Sequence, residues 1–339
     1  MRAFSRRGGH RDGRSRRPAQ RDSRGASDGE TQWDVLSDVV FTACGTTFSW
    51  NAVRESMVDD GTWVTVGRRA AQNAVAASVG FGSPSPDALR SAAQQFRYPR
   101  GLGAAEDLRC WLRRWGISED EWLKWLDHSY RAGYESVTAL EPPYDERASW
   151  IEAVCSGELE AASLRLASAV ACWAESSNGS PPPERERWTS LRAAHSEVVQ
   201  RRSDRSDLER IVDTQANAWM EVDLEWADFA SPDAAREAVC CCRQDGDTLA
   251  TVSARAGASH RREAIRAELL PGRHRSAAVS GPLGMPVVVT SSSQMTTTLV
   301  VWGRRLPSLE NSETEALAAE LCATRRIQAA LDRWVRWDG

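Results

Sequence analysis

Apolar residues recur at helical spacing through most of the chain and switch to strand spacing near residue 220. In "FRYPRGLGAAEDLRCWLRRWGISEDEWLKWL", residues 96 to 126, Leu108, Trp111, Leu112 and Trp115 stand at i, i+3, i+4 and i+7, one apolar stripe along a helix. Gly116 follows where a left-handed residue ends a helix. Ser118 with Glu121 forms a capping box, and Ile117 is placed to staple onto Trp122. A pair of helices is predicted. Trp111, Trp115, Trp122 and Trp125 are expected to serve its core first, and any of them left exposed become candidate peptide contacts.

The preceding stretch carries Trp33, Leu36, Val40 and Cys44 at spacings of three and four, which predicts an amphipathic helix. Helical text runs on to about residue 95, broken at "GFGSPSPD". Residues 145 to 175 read as helix again, with Gly157 as a break. "SSNGSPPPERER", residues 176 to 187, has the composition of an exposed linker, after which helix resumes.

In "WMEVDLEWADF" the period becomes two. Met220, Val222, Leu224 and Trp226 alternate with Glu221, Asp223, Glu225 and Ala227, a half-buried strand with an acidic outer face. Ser231 as cap and Pro232 at the first helical position then start a helix, Asp245 and Gly246 close it, and a second short helix stops at Gly257. Two β-branched runs, Val287 to Thr290 and Thr297 to Trp302, predict a hairpin. A final helix, Ser312 to Trp337, keeps Leu317, Leu321, Thr324, Ile327, Leu331 and Trp334 nearly in phase, and is expected to dock back on the helical part. The fold class is therefore α+β and mostly helical, organised as a basic tail (1–30), a helical region (31–218), a small α+β unit (219–307) and a closing helix (308–339).

Composition narrows the function. At 339 residues with 41 % apolar content the chain can bury two or three cores, and it has no run long enough to span a membrane. The net charge of −4 hides a strongly basic, apolar-poor start, expected to be a disordered tail and lacking the apolar core of a secretory signal. A cytoplasmic location is expected. Without interleaved aromatics the tail's arginines do not make a nucleic-acid site. Arginine fills every basic position except Lys124, a skew that reflects genome composition. The 8 cysteines, including Cys240, Cys241 and Cys242 in a row, lack zinc-like spacing and are expected to be small buried hydrophobes. "GFGSPSPDALR" lacks the lysine of a phosphate loop, "GRRLPS" is no dinucleotide fingerprint, and Ser280 lacks a nucleophile elbow. No catalytic residue, metal site or cofactor is expected.

The order of these elements, with "FASPDAAREAVCCCRQDGDTLATVSARAG" (229 to 257) and "VSGPLGMPVVV" followed by "TTTLVVWGRRLPSL", resembles the SurA/PrsA class of foldases. Their inserted unit is a parvulin-type peptidyl-prolyl isomerase domain. The fragment at 96 to 126 is similar to the substrate-cradling part of SurA-like proteins associated with ribosomally made, modified peptides. The resemblance touches about half the chain and implies a mostly helical SurA-like domain, an inserted parvulin-like antiparallel unit, and a C-terminal helix returning to the helical domain.

Parvulins carry one histidine at the end of the first strand and another on the last. Here those places fall in the Glu225, Trp226, Ala227 region and near Thr297 or Thr298, while His260 and His274 are expected in the intervening loop. The resemblance therefore implies the fold without the isomerase chemistry. It implies an accessory protein that holds an unfolded precursor peptide for tailoring enzymes, with the peptide along a strand edge or in a groove lined by Trp111, Trp115, Trp122, Trp125, Trp226 and Trp302. Two alternatives stay open: an active prolyl isomerase, and a required subunit of a lanthipeptide-type dehydrating or thioether-forming complex.

Overall fold

A computed structural model describes residues 34–78, 84–132, 145–290 and 296–338. The basic tail, Trp33, the first half of the "GFGSPSPD" break and the connection within the predicted hairpin lie outside the described residues. The fold is mostly helical α+β, with two small antiparallel sheets.

The chain enters not through the predicted amphipathic helix but through a hairpin, β1 (Val39–Ala43) and β2 (Thr46–Ser49). Cys44 and Gly45 both have positive φ, 52° and 71°, the backbone of a two-residue turn whose twist suits a hairpin. Phe41 pairs with Phe48 across it, and their rings stack at 4.7 Å. Among the described residues nine α-helices follow: α1 (Trp50–Asp59), α2 (Thr62–Ser78), α3 (Pro86–Arg97), α4 (Ala105–Arg114), α5 (Glu119–Ala132), α6 (Glu146–Ser156), α7 (Glu158–Ser177), α8 (Arg187–Gln200) and α9 (Arg205–Trp219). Gly157 ends α6 in the left-handed conformation, φ 82°. The proline-rich stretch after α7 is a connection between two helices packed on each other, not a spacer between units. Gly179 lies so close to Trp334 that a Cβ there would stand 2.8 Å from its ring.

The turn from α4 to α5 follows its local signals. Gly116 has φ 62°, the Glu121 N–H donates to Ser118 Oγ at 3.2 Å, and the Ser118 N–H donates to Glu121 Oε2 at 2.8 Å. Arg147 of α6 then clips the turn, donating to Glu121 Oε1 at 2.8 Å and to the Gly116 carbonyl at 2.7 Å. The hydrogen bond from Arg147 holds the Glu121 carboxyl down at about 2, with the Ser118 bonds helping against partial burial. Because the folded carboxyl is more acidic than the unfolded one, its contribution is complete above the ordinary value of 4.5 and is lost as pH falls from there through about 2. Glu121→Gln should flatten the acid limb of a urea-unfolding profile taken from pH 5 to pH 2. An unaltered limb would show that the clip adds nothing.

The second unit is a four-stranded antiparallel sheet in the order β4-β3-β6-β5. Its strands and helices run β3 (Glu221–Phe229), α10 (Pro232–Cys240), α11 (Leu249–Ala256), β4 (Ser259–Arg266), α12 (Gly272–Ser280), β5 (Pro286–Thr290) and β6 (Thr296–Arg305). Ser231 and Thr248 cap α10 and α11 by accepting from the N–H groups of Ala234 and Thr251. One sheet face packs Ala227, Phe229 and Val300 against α10 and α11. The other packs Val222, Leu224, Leu299 and Val301 against Ala278 of α12.

The predicted strand, two helices and hairpin therefore stand, and the stretch after Gly257, where His260 and His274 were expected in a loop, contains β4 and α12. His260 lies on β4 and His274 on α12. The closing helix α13 (Ser312–Trp334) returns to the helical part as expected, burying Ala330 and Leu331 in its core and Ala318 and Cys322 against α9. It ends earlier than its periodicity suggests. β7 (Val335–Trp337) then pairs with β1, setting Phe41 opposite Trp337.

Candidate functional site

The six tryptophans singled out in the sequence divide between two places. Trp115 and Trp122 are 3 % exposed, inside the helical core, and Trp111 and Trp125 are half-buried against it. Phe96 of α3 organises the group, its ring 5.4 Å from Trp111, 5.6 Å from Trp122 and 5.7 Å from Trp125. Trp115 packs edge-on to Trp50 at 4.8 Å and lies 6.1 Å from Trp150. As contacts for a peptide Trp115 and Trp122 are thus corrected to core residues. Three further elements bring aromatic partners to the helix pair, so its stripe is consumed inside the fold.

Trp125 has a polar role besides. Its Nε1–H donates to Glu152 at 2.8 Å, and Asn73 donates to the same oxygen at 3.0 Å. Burial raises the Glu152 carboxyl's pKa against the pull of these donors and of Arg69. The network ties α2, α5 and α6 together through one buried carboxyl.

On the sheet, Trp226 and Trp302 stand apart. Trp226 is half-buried on the α12 face. The β3–β6 register sets Trp226 opposite Leu299, Ala227 opposite Thr298 and Asp228 opposite Thr297. With side chains alternating along each strand, Thr297 shares the α12 face with Trp226, and Thr298 points to the other. Both hydroxyls are engaged: Thr297 donates to Asp228 at 2.6 Å and Thr298 to the Ala235 carbonyl at 3.1 Å.

Trp302 is 46 % exposed and sits in a bulge, because the register skips from Val301 opposite Leu224 to Gly303 opposite Asp223. Alternation from Val300 places Trp302 on the α10/α11 face. There its Nε1–H donates to Glu225 Oε2 at 2.6 Å, and His260 Nε2 shares a 2.8 Å hydrogen bond with the other carboxylate oxygen. Glu225 is 6 % exposed, so a buried carboxylate joins β3, β4 and β6 at one point. Arg262 lies over the Trp302 ring at 5.3 Å and donates to Asp223 at 2.9 Å. That ion pair lowers the Asp223 pKa and raises that of Arg262.

Sequence reasoning missed this cluster because β4 reads as charged loop. The signal that existed was the i, i+2 repeat of His260 and Arg262 facing the acidic side of β3. The thiol of Cys242, near Glu225, is pushed up by burial and by neighbouring negative groups, which makes it a poor nucleophile.

At the far end of β4 an open cleft of about 850 Å³ separates the sheet from α9 and α13, lined by Trp219, Ile265, Leu269, Leu306 and Leu317 among others. A second groove, about 310 Å³, lies between α1, α7 and α8 around Leu166, Trp188 and His195, whose imidazole pKa is lowered by burial. Among the described residues no group of three or more His, Cys, Asp or Glu is placed to hold a metal ion, and no helix is long and apolar enough to cross a membrane. The chain matches no protein-family model and no curated protein. What the geometry defines is a mostly helical α+β protein whose sheet ends, among the described residues, on β4 and carries an aromatic-carboxylate cluster and an adjoining cleft.

Proposed function

We propose that this protein is a peptide-holding accessory factor of the SurA/PrsA type, working in the cytoplasm during maturation of a ribosomally made, modified peptide. Its sheet unit is a parvulin-like domain that no longer isomerises prolyl bonds. The observation that supports this best is the unit's arrangement: a first strand, two capped helices and a closing hairpin, framed by helical text on both sides. Trp226 and Thr297 share one face at the places where the resemblance calls for histidine. A half-buried indole there offers apolar contact to an extended chain, and a hydroxyl committed to Asp228 is a poor stand-in for an imidazole.

Two measurements test the reading. A protease-coupled assay on a proline-containing peptide should give a rate equal to the uncatalysed one, whose barrier is ~18–20 kcal/mol. A catalysed rate would restore the isomerase alternative. A fluorescein-labelled unfolded peptide should be retained in an anisotropy titration, and no binding at any concentration would remove the holding role. Omitting the protein from a reconstituted dehydrating reaction separates a holding factor, which changes yield, from a required subunit, whose loss abolishes product.

A further inference from the structure

Strand β5 ends the sheet opposite β4, and among the described residues it pairs only with β6. Its outward side follows from the ladders. The Ala267 N–H donates to the Met220 carbonyl at 2.9 Å, so Met220 and, by alternation, Leu224 and Trp226 turn their backbone groups toward β4. Glu225, Ala227 and Phe229 therefore bond to Val300, Thr298 and Thr296, which leaves Thr297 and Leu299 of β6 to bond to Val289 and Val287 of β5. The Gly284 N–H, donating to the Val301 carbonyl at 2.7 Å, fits the same phase. Pro286, Val288 and Thr290 are left with their backbone groups facing out.

An arginine holds each end of that edge. Pro286 has no N–H, and its carbonyl accepts from Arg243 Nη2 at 2.9 Å. The Thr290 carbonyl accepts from Arg273 Nη1 at 2.8 Å. Arg243 belongs to a single π-helical turn, Cys241–Asp245, that continues α10 on one face of the sheet, and Arg273 belongs to α12 on the other. Between α12 and β5 runs an open cleft of about 410 Å³, so solvent reaches the strand.

Apart from these arginines the edge matches itself. The strand reads Pro-Val-Val-Val-Thr and carries no charged side chain. Antiparallel pairing of two copies centred on Val288 sets Val288 opposite Val288, Val287 opposite Val289 and Pro286 opposite Thr290, and such valine pairs are favourable. The two Val288 residues exchange hydrogen bonds, and the Thr290 N–H of each copy points at the Pro286 carbonyl of the other. Arg243 already occupies that carbonyl. The same register brings Arg243 of one copy beside Arg273 of the other at both ends of the seam, where like charges repel. Arg273 acts by charge and bulk alone, because the Thr290 carbonyl would face a proline that has no N–H to offer.

We infer that the β5 edge is an interface for a second copy of this chain, held shut by Arg243 and Arg273 so that the sheet stays four-stranded. The inference does not depend on the peptide-holding reading.

The test is sedimentation velocity on the full chain over a dilution series. Arg243→Ala frees the Pro286 carbonyl in both copies and should shift reversible dimer formation to concentrations about ten-fold lower than in the parent. Arg273→Ala should shift it less. Arg243→Glu turns the like-charge meeting at each end into an opposite-charge one and should associate more strongly than Arg243→Ala, whereas Arg243→Glu combined with Arg273→Glu restores like charges and should fall back below the single exchange. Thr290→Pro, which removes an outward N–H at an edge where proline is tolerated, should return Arg243→Glu to the parent's behaviour. Amide exchange gives the location: the Val288 and Thr290 amides of Arg243→Glu should become protected as concentration rises. Sedimentation of Arg243→Glu that matches the parent, association that survives Thr290→Pro, or association without protection at Val288 overturns the inference.

Discussion

Replacing Trp150 with alanine is expected to cost about 3–5 kcal/mol of stability, as for other large aromatics deleted from a core. Trp150 is fully buried on α6, lies 6.1 Å from the Trp115 ring and donates from Nε1 to the Trp115 carbonyl at 3.2 Å. Its removal opens a cavity at the meeting point of α1, α4 and α6, and leaves the Trp115 carbonyl without that donor. Urea unfolding monitored by far-ultraviolet circular dichroism measures the loss, and a cost below about 1 kcal/mol would mean that the site collapses without a void. Trp115→Ala and Trp122→Ala should behave alike, because both side chains are core. A loss of peptide binding in those variants would therefore report unfolding rather than a missing contact.

The second large effect is expected at Glu225. Glu225→Ala strips Trp302 and His260 of their shared acceptor, and each hydrogen bond to a charged group contributes about 1.5–3 kcal/mol. Trp302 and His260 remain partly open to water, which can replace the lost acceptor, so the total should stay near 2 kcal/mol rather than the sum. The change should also be local. Amide exchange in β4 should accelerate more than in β5, because the carboxylate's hydrogen bonds tie β4 to the two central strands. Glu225→Gln, which keeps one acceptor, should recover part of the protection. Uniform acceleration across the sheet would mean the carboxylate supports the whole unit and not its edge.

Both residues show how far local text carries. The caps at Ser118 and Ser231, the helix-ending glycines at 116, 157 and 257 and the alternation along β3 act within a few residues, so they were legible; the Thr248 cap of α11 was not read. So was the closing helix, through its periodicity. The tryptophan stripe was legible as a stripe, but nothing in its spacing says that α3 and α6 bring Phe96 and Trp150 against it. Burial is decided by neighbours distant in the chain.

What the sequence determined by itself is the mostly helical α+β character, the marked ends of several helices (Gly116, Ser118, Gly157, Ser231 and Gly257), and the strand and hairpin of the sheet unit, because these depend on short-range hydrogen bonding and on one-sided burial. Tertiary structure alone decided three things. The segment at Val39–Ser49 became a hairpin because β7, almost three hundred residues away, supplies β1's second ladder. β4 became a strand although its side chains bury little, because an edge strand is held by backbone pairing, which leaves no apolar alternation to read. The Glu225 cluster exists only because the pairing of β3 with both β4 and β6 brings His260 and Trp302 to the same buried carboxylate.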